Sequence, residues 1–204
     1  RETLKFLLLQ IRDDLSVREE ETASFLKHGR LDENQIEVHN VFDQPTFNAD
    51  ILKGYDGLIV GGASEASVLE PEKYPFVHSS VELMRHCIEV GFPVFASCFG
   101  FQLAVIALDG EITKKEKDFE MGTLPISQTD LAKTDPIFQG VSDPFYAVSV
   151  HQESAHQLPE KCIELAKTDF CVHAFRYQDR PFWAFQFHPE LDKETLRERL
   201  GVYQ

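Results

Sequence analysis

The segment Val94-Phe95-Ala96-Ser97-Cys98-Phe99-Gly100-Phe101-Gln102 constrains the fold more than any other part of this chain. An apolar run is broken by small residues and then followed by a second apolar, helix-compatible stretch. The pattern predicts a strand, a sharp turn and a helix, with Cys98 at the helix mouth. A strand that feeds straight into a helix belongs to the α/β class. The first-turn N–H groups of a helix are unpaired and carry partial positive charge. They favour the thiolate form of a cysteine, which is the nucleophile. Ala96 and Gly100 are small, as a tight turn with close strand–helix approach requires.

A nucleophile needs a base, and Phe187-His188-Pro189-Glu190 offers one. His188 follows the apolar run Pro181 to Phe187, which reads as a buried strand, so it lies at a strand end, where open α/β sheets place their chemistry. Glu190 is two residues on, which in an extended chain points it to the same side as His188. A carboxylate there can accept from one ring nitrogen and leave the other facing the thiol, the nucleophile–base–orienter arrangement. Taken singly, Cys98 reads as a small buried hydrophobe and His188 as a satisfied strand-end histidine. The combination of elbow, His188 and Glu190 outweighs both readings.

These motifs resemble those of the class I, triad-type glutamine amidotransferases, whose elbow is G-x-C-x-G-x-Q and whose C-terminal motif is H-P-E. Here the elbow reads Ala96-Ser97-Cys98-Phe99-Gly100-Phe101-Gln102, and His188-Pro189-Glu190 matches in full. A Gly-Gly loop after the third strand has its counterpart in Leu58-Ile59-Val60-Gly61-Gly62. Val148-Ser149-Val150-His151-Gln152-Glu153 is similar to the substrate loop before the final strands. The landmarks follow family order from about residue 57 to 190, and the first fifty residues fit the opening βαβ unit. Stand-alone proteins similar to the amidotransferase half of GMP synthase are the nearest group. Two positions depart: Ala96 replaces the first elbow glycine, and Ala63 replaces a proline that often follows the Gly-Gly pair.

The resemblance implies a flavodoxin-like class I amidotransferase fold and a Cys98–His188–Glu190 triad. Phe99 N–H, next to the nucleophile, supplies one oxyanion donor, and the resemblance makes Gly62 the other. It also implies that Gly61, Gln102 and the Ser149, Val150, His151 and Gln152 loop bind the substrate. Glu120, before Met121-Gly122, matches a recurring E-x-G and is expected to be structural. His151 is the rival base, although a structural hydrogen bond is the more expected role. No cofactor is implied.

Composition sets limits on partners. Net charge is −14, with no basic cluster beyond Lys114, Lys115 and Lys117. Nucleic acid, which requires a basic face, is therefore an unexpected partner, as is an anionic membrane. The 204 residues suit a single α/β domain spanning 1–204. Phe6-Leu7-Leu8-Leu9 is far too short for a signal core or membrane span. A cytosolic location is expected. Cys87, Cys162 and Cys171 read as packing residues, without disulfides. No C-x-x-C, H-x-H or H-x-x-x-H spacing suggests zinc. Arg1 is not an initiating methionine, so the natural chain is expected to be slightly longer.

The expected architecture is a mostly parallel central sheet flanked by helices, with a smaller antiparallel section. Strands are expected at 4–11, 36–41, 57–60 and the elbow. Helices are expected from a Ser16 capping box to about His28 with Gly29 as the stop, at about 75–90, at 99–108 and at 193–200. Closely spaced strands at 119–126, 145–150, 164–167, 171–177 and 182–187 imply antiparallel pairing.

The expected reaction is hydrolysis of the glutamine side-chain amide through a γ-glutamyl thioester, with ammonia passing to a synthase partner. The same triad would serve a stand-alone γ-glutamyl peptidase or hydrolase. A PfpI-like redox protein and a non-catalytic amidotransferase-like subunit rank below these. In the redox family a residue such as histidine follows the cysteine, whereas Phe99 does so here.

Overall fold

The structure is a computed structural model that describes residues 3–114 and 119–196. Arg1, Lys115, Lys117 and the 197–200 end of the expected last helix lie outside the described residues; 193–196 are helical.

Five strands form the parallel half of a nine-stranded sheet. They are β1 (Phe6–Ile11), β2 (Ile36–Asn40), β3 (Gly57–Ala63), β4 (Val94–Ser97) and β11 (Phe182–Phe185), in the order β2-β1-β3-β4-β11. The antiparallel strands β10 (Val172–Tyr177), β9 (Cys162–Lys167), β6 (Glu120–Gln128) and β7 (Phe145–His151) continue the same sheet beyond β11. A separate ribbon pairs β5 (Thr113–Lys114) with β8 (Glu153–Ser154). The smaller antiparallel section is thus largely an extension of the central sheet.

Period-two alternation divides the parallel half between two layers. Leu7, Leu9 and Ile11 of β1, with Leu58 and Val60 of β3, face α2 (Phe76–Val90) and α3 (Phe99–Ala107). Leu8 and Ile59 face the other way, onto Phe25 of α1 (Leu15–Gly29). Burial on both faces explains why these strands are continuously apolar. The second layer of α2 buries Phe76, Val77, Ser80, Val81, Leu83, Met84 and Cys87, the three-and-four spacing of a helix stripe. A further cluster of Ile126, Leu165, Phe185 and Phe187 fills the antiparallel half.

Several boundaries differ from expectation for local reasons. Asp14, two residues before the expected Ser16 cap, caps α1 by accepting from the Ser16 and Val17 N–H groups at 2.8 and 3.2 Å. Gly29 remains helical, and Arg30 takes the left-handed position at φ 52°. β3 runs on through Gly61 and Gly62 to Ala63 instead of ending before a loop. Ser149, Val150 and His151 lie in β7, paired with Gly122, Met121 and Glu120, so the expected substrate loop is mainly a strand end.

Candidate active site

Four adjacent strand ends in the parallel half carry the site. Arg12 follows β1, Gly61 and Gly62 close β3, Cys98 follows β4, and His188 lies three residues past β11. The carboxyl ends of such strands are where α/β sheets gather functional groups, because loops leave the sheet there while the backbone is held by its ladder.

Cys98 takes φ 51° and ψ −100°, between a strand and the first residue of α3. A non-glycine residue in this region is strained and is held by its surroundings. Here the Cys98 N–H donates to the Phe185 carbonyl at 2.7 Å, and its own carbonyl accepts from Gln102 N–H at 3.2 Å. The positive φ belongs to Cys98 and not to Ala96, so alanine in place of the elbow glycine meets no backbone conflict. Gly100 is required by space: a Cβ there would lie 2.9 Å from both Val60 Cβ and the Val60 carbonyl oxygen.

His188 Nδ1 and Glu190 Oε1 are 2.7 Å apart, and both residues are buried. The approach comes from a turn at Pro189-Glu190, rather than from the extended alternation that predicted it. The other Glu190 oxygen, Oε2, accepts from Ser97 Oγ at 3.0 Å. His188 N–H donates to the Val148 carbonyl at 2.8 Å, tying His188 to β7. Burial alone would push the His188 pKa down. The negative charges of a Cys98 thiolate and of Glu190, with hydrogen bonds to both, reverse this and hold it at about 10.

Cys98, Phe99, Gln102, Val150, His151, Gln152 and His188 line one cavity of about 580 Å³. Cys98 Sγ is 3.8 Å from the Val150 carbonyl and 3.8 Å from Gln186 Nε2. Gln102 spends its amide donor on the Glu153 carbonyl at 3.0 Å and on Gln186 Oε1 at 3.4 Å, bracing the wall. Ser149 is fully buried and Gly61 faces Glu21; neither is part of the cavity lining. The missing side chain of Gly62 would sit 3.5 Å from Cys98 Cβ, which puts this backbone directly beside Cys98.

His151 is committed elsewhere. Its Nε2 lies 2.8 Å from Glu120 Oε2 and its Nδ1 3.0 Å from the Glu153 carbonyl oxygen. His173 Nε2 donates to the same Glu120 oxygen at 2.7 Å, Thr168 Oγ1 donates to Oε1 at 2.9 Å, and Cys171 Sγ reaches Oε2 at 3.4 Å. Burial would raise the Glu120 pKa, but the hydrogen bonds from His151, His173 and Thr168 hold it well below the usual carboxylate range. His173, whose Nδ1 has no hydrogen-bond partner among the described residues, is pushed down chiefly by burial.

This cluster was invisible to spacing rules, since Glu120 lies in β6, His151 in β7 and His173 in β10, with Cys171 just before β10, and their ligand atoms lie within 4.8 Å of one another. The 2.7 and 2.8 Å contacts are hydrogen-bond lengths. Two ligands on one tetrahedral zinc stand about 3.3 Å apart. As arranged, the group is a hydrogen-bonded cluster, and Cys171 belongs to it rather than to simple packing.

Sequence reasoning also passed over Arg12, Glu21, Ser97 and Gln186. Gln186 alone carried a signal, as a polar residue inside the apolar run before His188.

The family model described as glutamine amidotransferase class-I matches residues 24–200. The glutamine-hydrolysing GMP synthase of Thermotoga maritima is 28% identical over 171 residues, covering 84% of this chain and 31% of that protein. The chain thus spans about a third of that relative's length. The γ-glutamyl-L-1-hydroxyisopropylamide hydrolase of a Pseudomonas species is 27% identical over 149 residues, covering 69% of this chain and 48% of the relative. A solved glutamine amidotransferase from Thermotoga maritima superposes with a TM-score of 0.80 at 16% identity, covering 100% of this chain and 83% of the other. At that identity the likeness bears on the fold.

Proposed function

The chain belongs to the class I glutamine amidotransferase family; we propose that it is an enzyme of amide hydrolysis, residues 1–204 acting as a single glutaminase domain with Cys98, His188 and Glu190 as its triad. One observation carries this reading: the strained Cys98 and His188 line one cavity, and behind it His188 Nδ1 is held by Glu190 at 2.7 Å.

Cys98 attacks the side-chain carbonyl carbon of glutamine as the thiolate. The N–H groups of Phe99 and Gly62 meet the oxyanion. As the tetrahedral intermediate collapses, the C–N bond breaks, and His188 gives its proton to the departing ammonia. A γ-glutamyl thioester remains. Neutral His188 then takes a proton from water, the hydroxide attacks the thioester, and the sulfur leaves as thiolate beside a restored imidazolium. Glu190 orients the ring throughout. Gln152 and the β7 end at Val150 and His151 hold the amino-acid end of the substrate, with Gln102 bracing that wall. Ammonia then passes to a synthase partner, the role that the unmatched remainder of the GMP synthase relative suggests.

A second reading has its own support in the hydrolase relative and the cavity volume: the natural substrate is a larger γ-glutamyl amide, with no acceptor partner.

Ammonia release from L-glutamine tests the first reading, with Cys98→Ala and Cys162→Ala compared. Loss of about three orders of magnitude or more in Cys98→Ala, with Cys162→Ala near wild type, is expected. Cys171→Ala is the weaker control, because its sulfur belongs to the Glu120 cluster. Equal activity in Cys98→Ala and wild type would remove the assignment. Turnover of γ-glutamyl amides in preference to glutamine would select the second reading.

A further inference from the structure

The glycine pair that ends β3 makes room for two buried charged side chains. A Cβ on Gly61 would lie 2.6 Å from Glu21 Oε1, and one on Gly62 would lie 2.8 Å from Arg12 Nη2. Arg12 is 3% exposed and Glu21 0%. Arg12 Nε donates to Glu21 Oε2 at 2.7 Å, and Nη1 donates to Ser64 Oγ at 3.1 Å. Nη2 of the same guanidinium is buried and has no hydrogen-bond partner among the described residues.

The location of that nitrogen is informative. The Gly62 Cβ position is 2.8 Å from Arg12 Nη2, 3.0 Å from His188 Cε1 and 3.5 Å from Cys98 Cβ. The unanswered edge of the guanidinium, the base and the nucleophile therefore converge on one glycine. Glu21 holds Nε and Ser64 holds Nη1, which leaves Nη2 as the nitrogen next to the reacting centre. A buried charged N–H without an acceptor is costly unless a nearby negative charge answers it.

We propose that Arg12 holds Cys98 in the thiolate form, the sulfur supplying the negative charge that Nη2 lacks. The inference rests on Cys98 being the nucleophile. Arg12 is then a positioning residue, acting on the ionisation of the sulfur, and Glu21 sets the orientation of the guanidinium. Its electrostatic coupling to Cys98 and Glu190 accords with this placement.

Other charged groups surround Cys98. His188 and Glu190 hold each other, and Glu190 also holds Ser97. His151 is held by Glu120, and Glu153 accepts from Ser67. Glu65, Glu70 and Lys114 are exposed on the cavity wall. Arg12 differs from the buried groups that line the cavity in combining full charge with a partnerless edge.

The test is the rate at which iodoacetamide alkylates Cys98 between pH 4 and 9, read by mass spectrometry of the whole chain. Arg12→Met alone would strand a buried Glu21 carboxylate, so it is paired with Glu21→Gln. In that double variant the pH midpoint of alkylation should rise by about one unit, with about tenfold slower alkylation below the midpoint. Arg12→Lys keeps the ion pair but lacks the second nitrogen, and its midpoint should rise by less. Profiles superimposed on wild type in Arg12→Lys, or in a double variant with wild-type melting, would overturn the proposal. Alkylation needs no substrate, so the two readings separate. Shifted profiles in a chain that leaves glutamine intact would uphold Arg12 and reject the glutaminase; full glutaminase activity with unshifted profiles would reject Arg12 alone.

Discussion

Glu190 reaches His188 although the chain between them turns rather than extends. Two residues are close enough for contact in either geometry, which is why the pairing was legible while its path was not. The carboxylate divides its oxygens between His188 Nδ1 and Ser97 Oγ, and so links the ends of β11 and β4. Its charge also helps to hold the His188 pKa at about 10. In the proposed reaction the leaving ammonia needs the protonated ring, so kcat/KM should fall as pH rises through that value. In Glu190→Gln the ring loses one of its two stabilising anions, and the alkaline limb should move to lower pH. A pH–rate profile checks this; an alkaline limb unmoved in the variant would deny Glu190 the role. At the same scale, Ala96 needed no glycine because the positive φ falls on Cys98 itself.

The elbow is an element-scale device. β4 delivers Cys98, α3 departs at once, and the two approach so closely at Gly100 that the wall of β3 leaves no room for a methyl group. The Val60 carbonyl oxygen at 2.9 Å is backbone, paired into the sheet, and cannot give way as a side-chain tip could. Gly100→Ala should therefore cost about 2–3 kcal/mol and lower Tm by about 5–10 °C. Thermal melts check it, and a Tm within 2 °C of wild type would show that the helix can shift. The strand and helix around this turn were readable because apolar runs and small residues are local signals. The continuation of β3 through Gly61-Gly62 was not. A glycine pair suggests a loop, yet here its missing side chains admit Arg12 and Glu21 beside a paired strand.

Across the whole molecule, the parallel half contributes Cys98 and His188, and the antiparallel half contributes the facing wall. The Glu120 cluster ties that wall together, with Glu120 from β6, His151 from β7 and His173 from β10. Its titration should be visible in global stability. Burial pushes the pKa of folded His173 below its ordinary value, while the unfolded histidine gains a proton near pH 6.5. Stability should thus fall as pH drops below about 6.5. Glu120 is depressed when folded, so its contribution is present above about pH 4.3 and is lost in stronger acid. His173→Gln removes the first effect and keeps an amide donor for Glu120. Its Tm should depend less on pH between 7 and 5 than that of wild type. Equal slopes in calorimetry would contradict the assignment. None of the helices among the described residues is long and apolar enough to cross a membrane.

What the sequence by itself determined is the α/β class, the elbow with Cys98 at its turn, and His188 with Glu190 at the last strand end. Each rests on apolar periodicity or on residues so near in the chain that covalent geometry limits where they can go. The tertiary structure alone decided that Arg12 and Glu21 flank Gly62 and Gly61, and that Glu120 gathers two histidines, a threonine and a cysteine. Those contacts join residues 31 to 53 positions apart in the Glu120 cluster, and join β1 to the end of β3 at Arg12. Only the sheet's register brings such positions together, and burial then compels their polar groups to find one another.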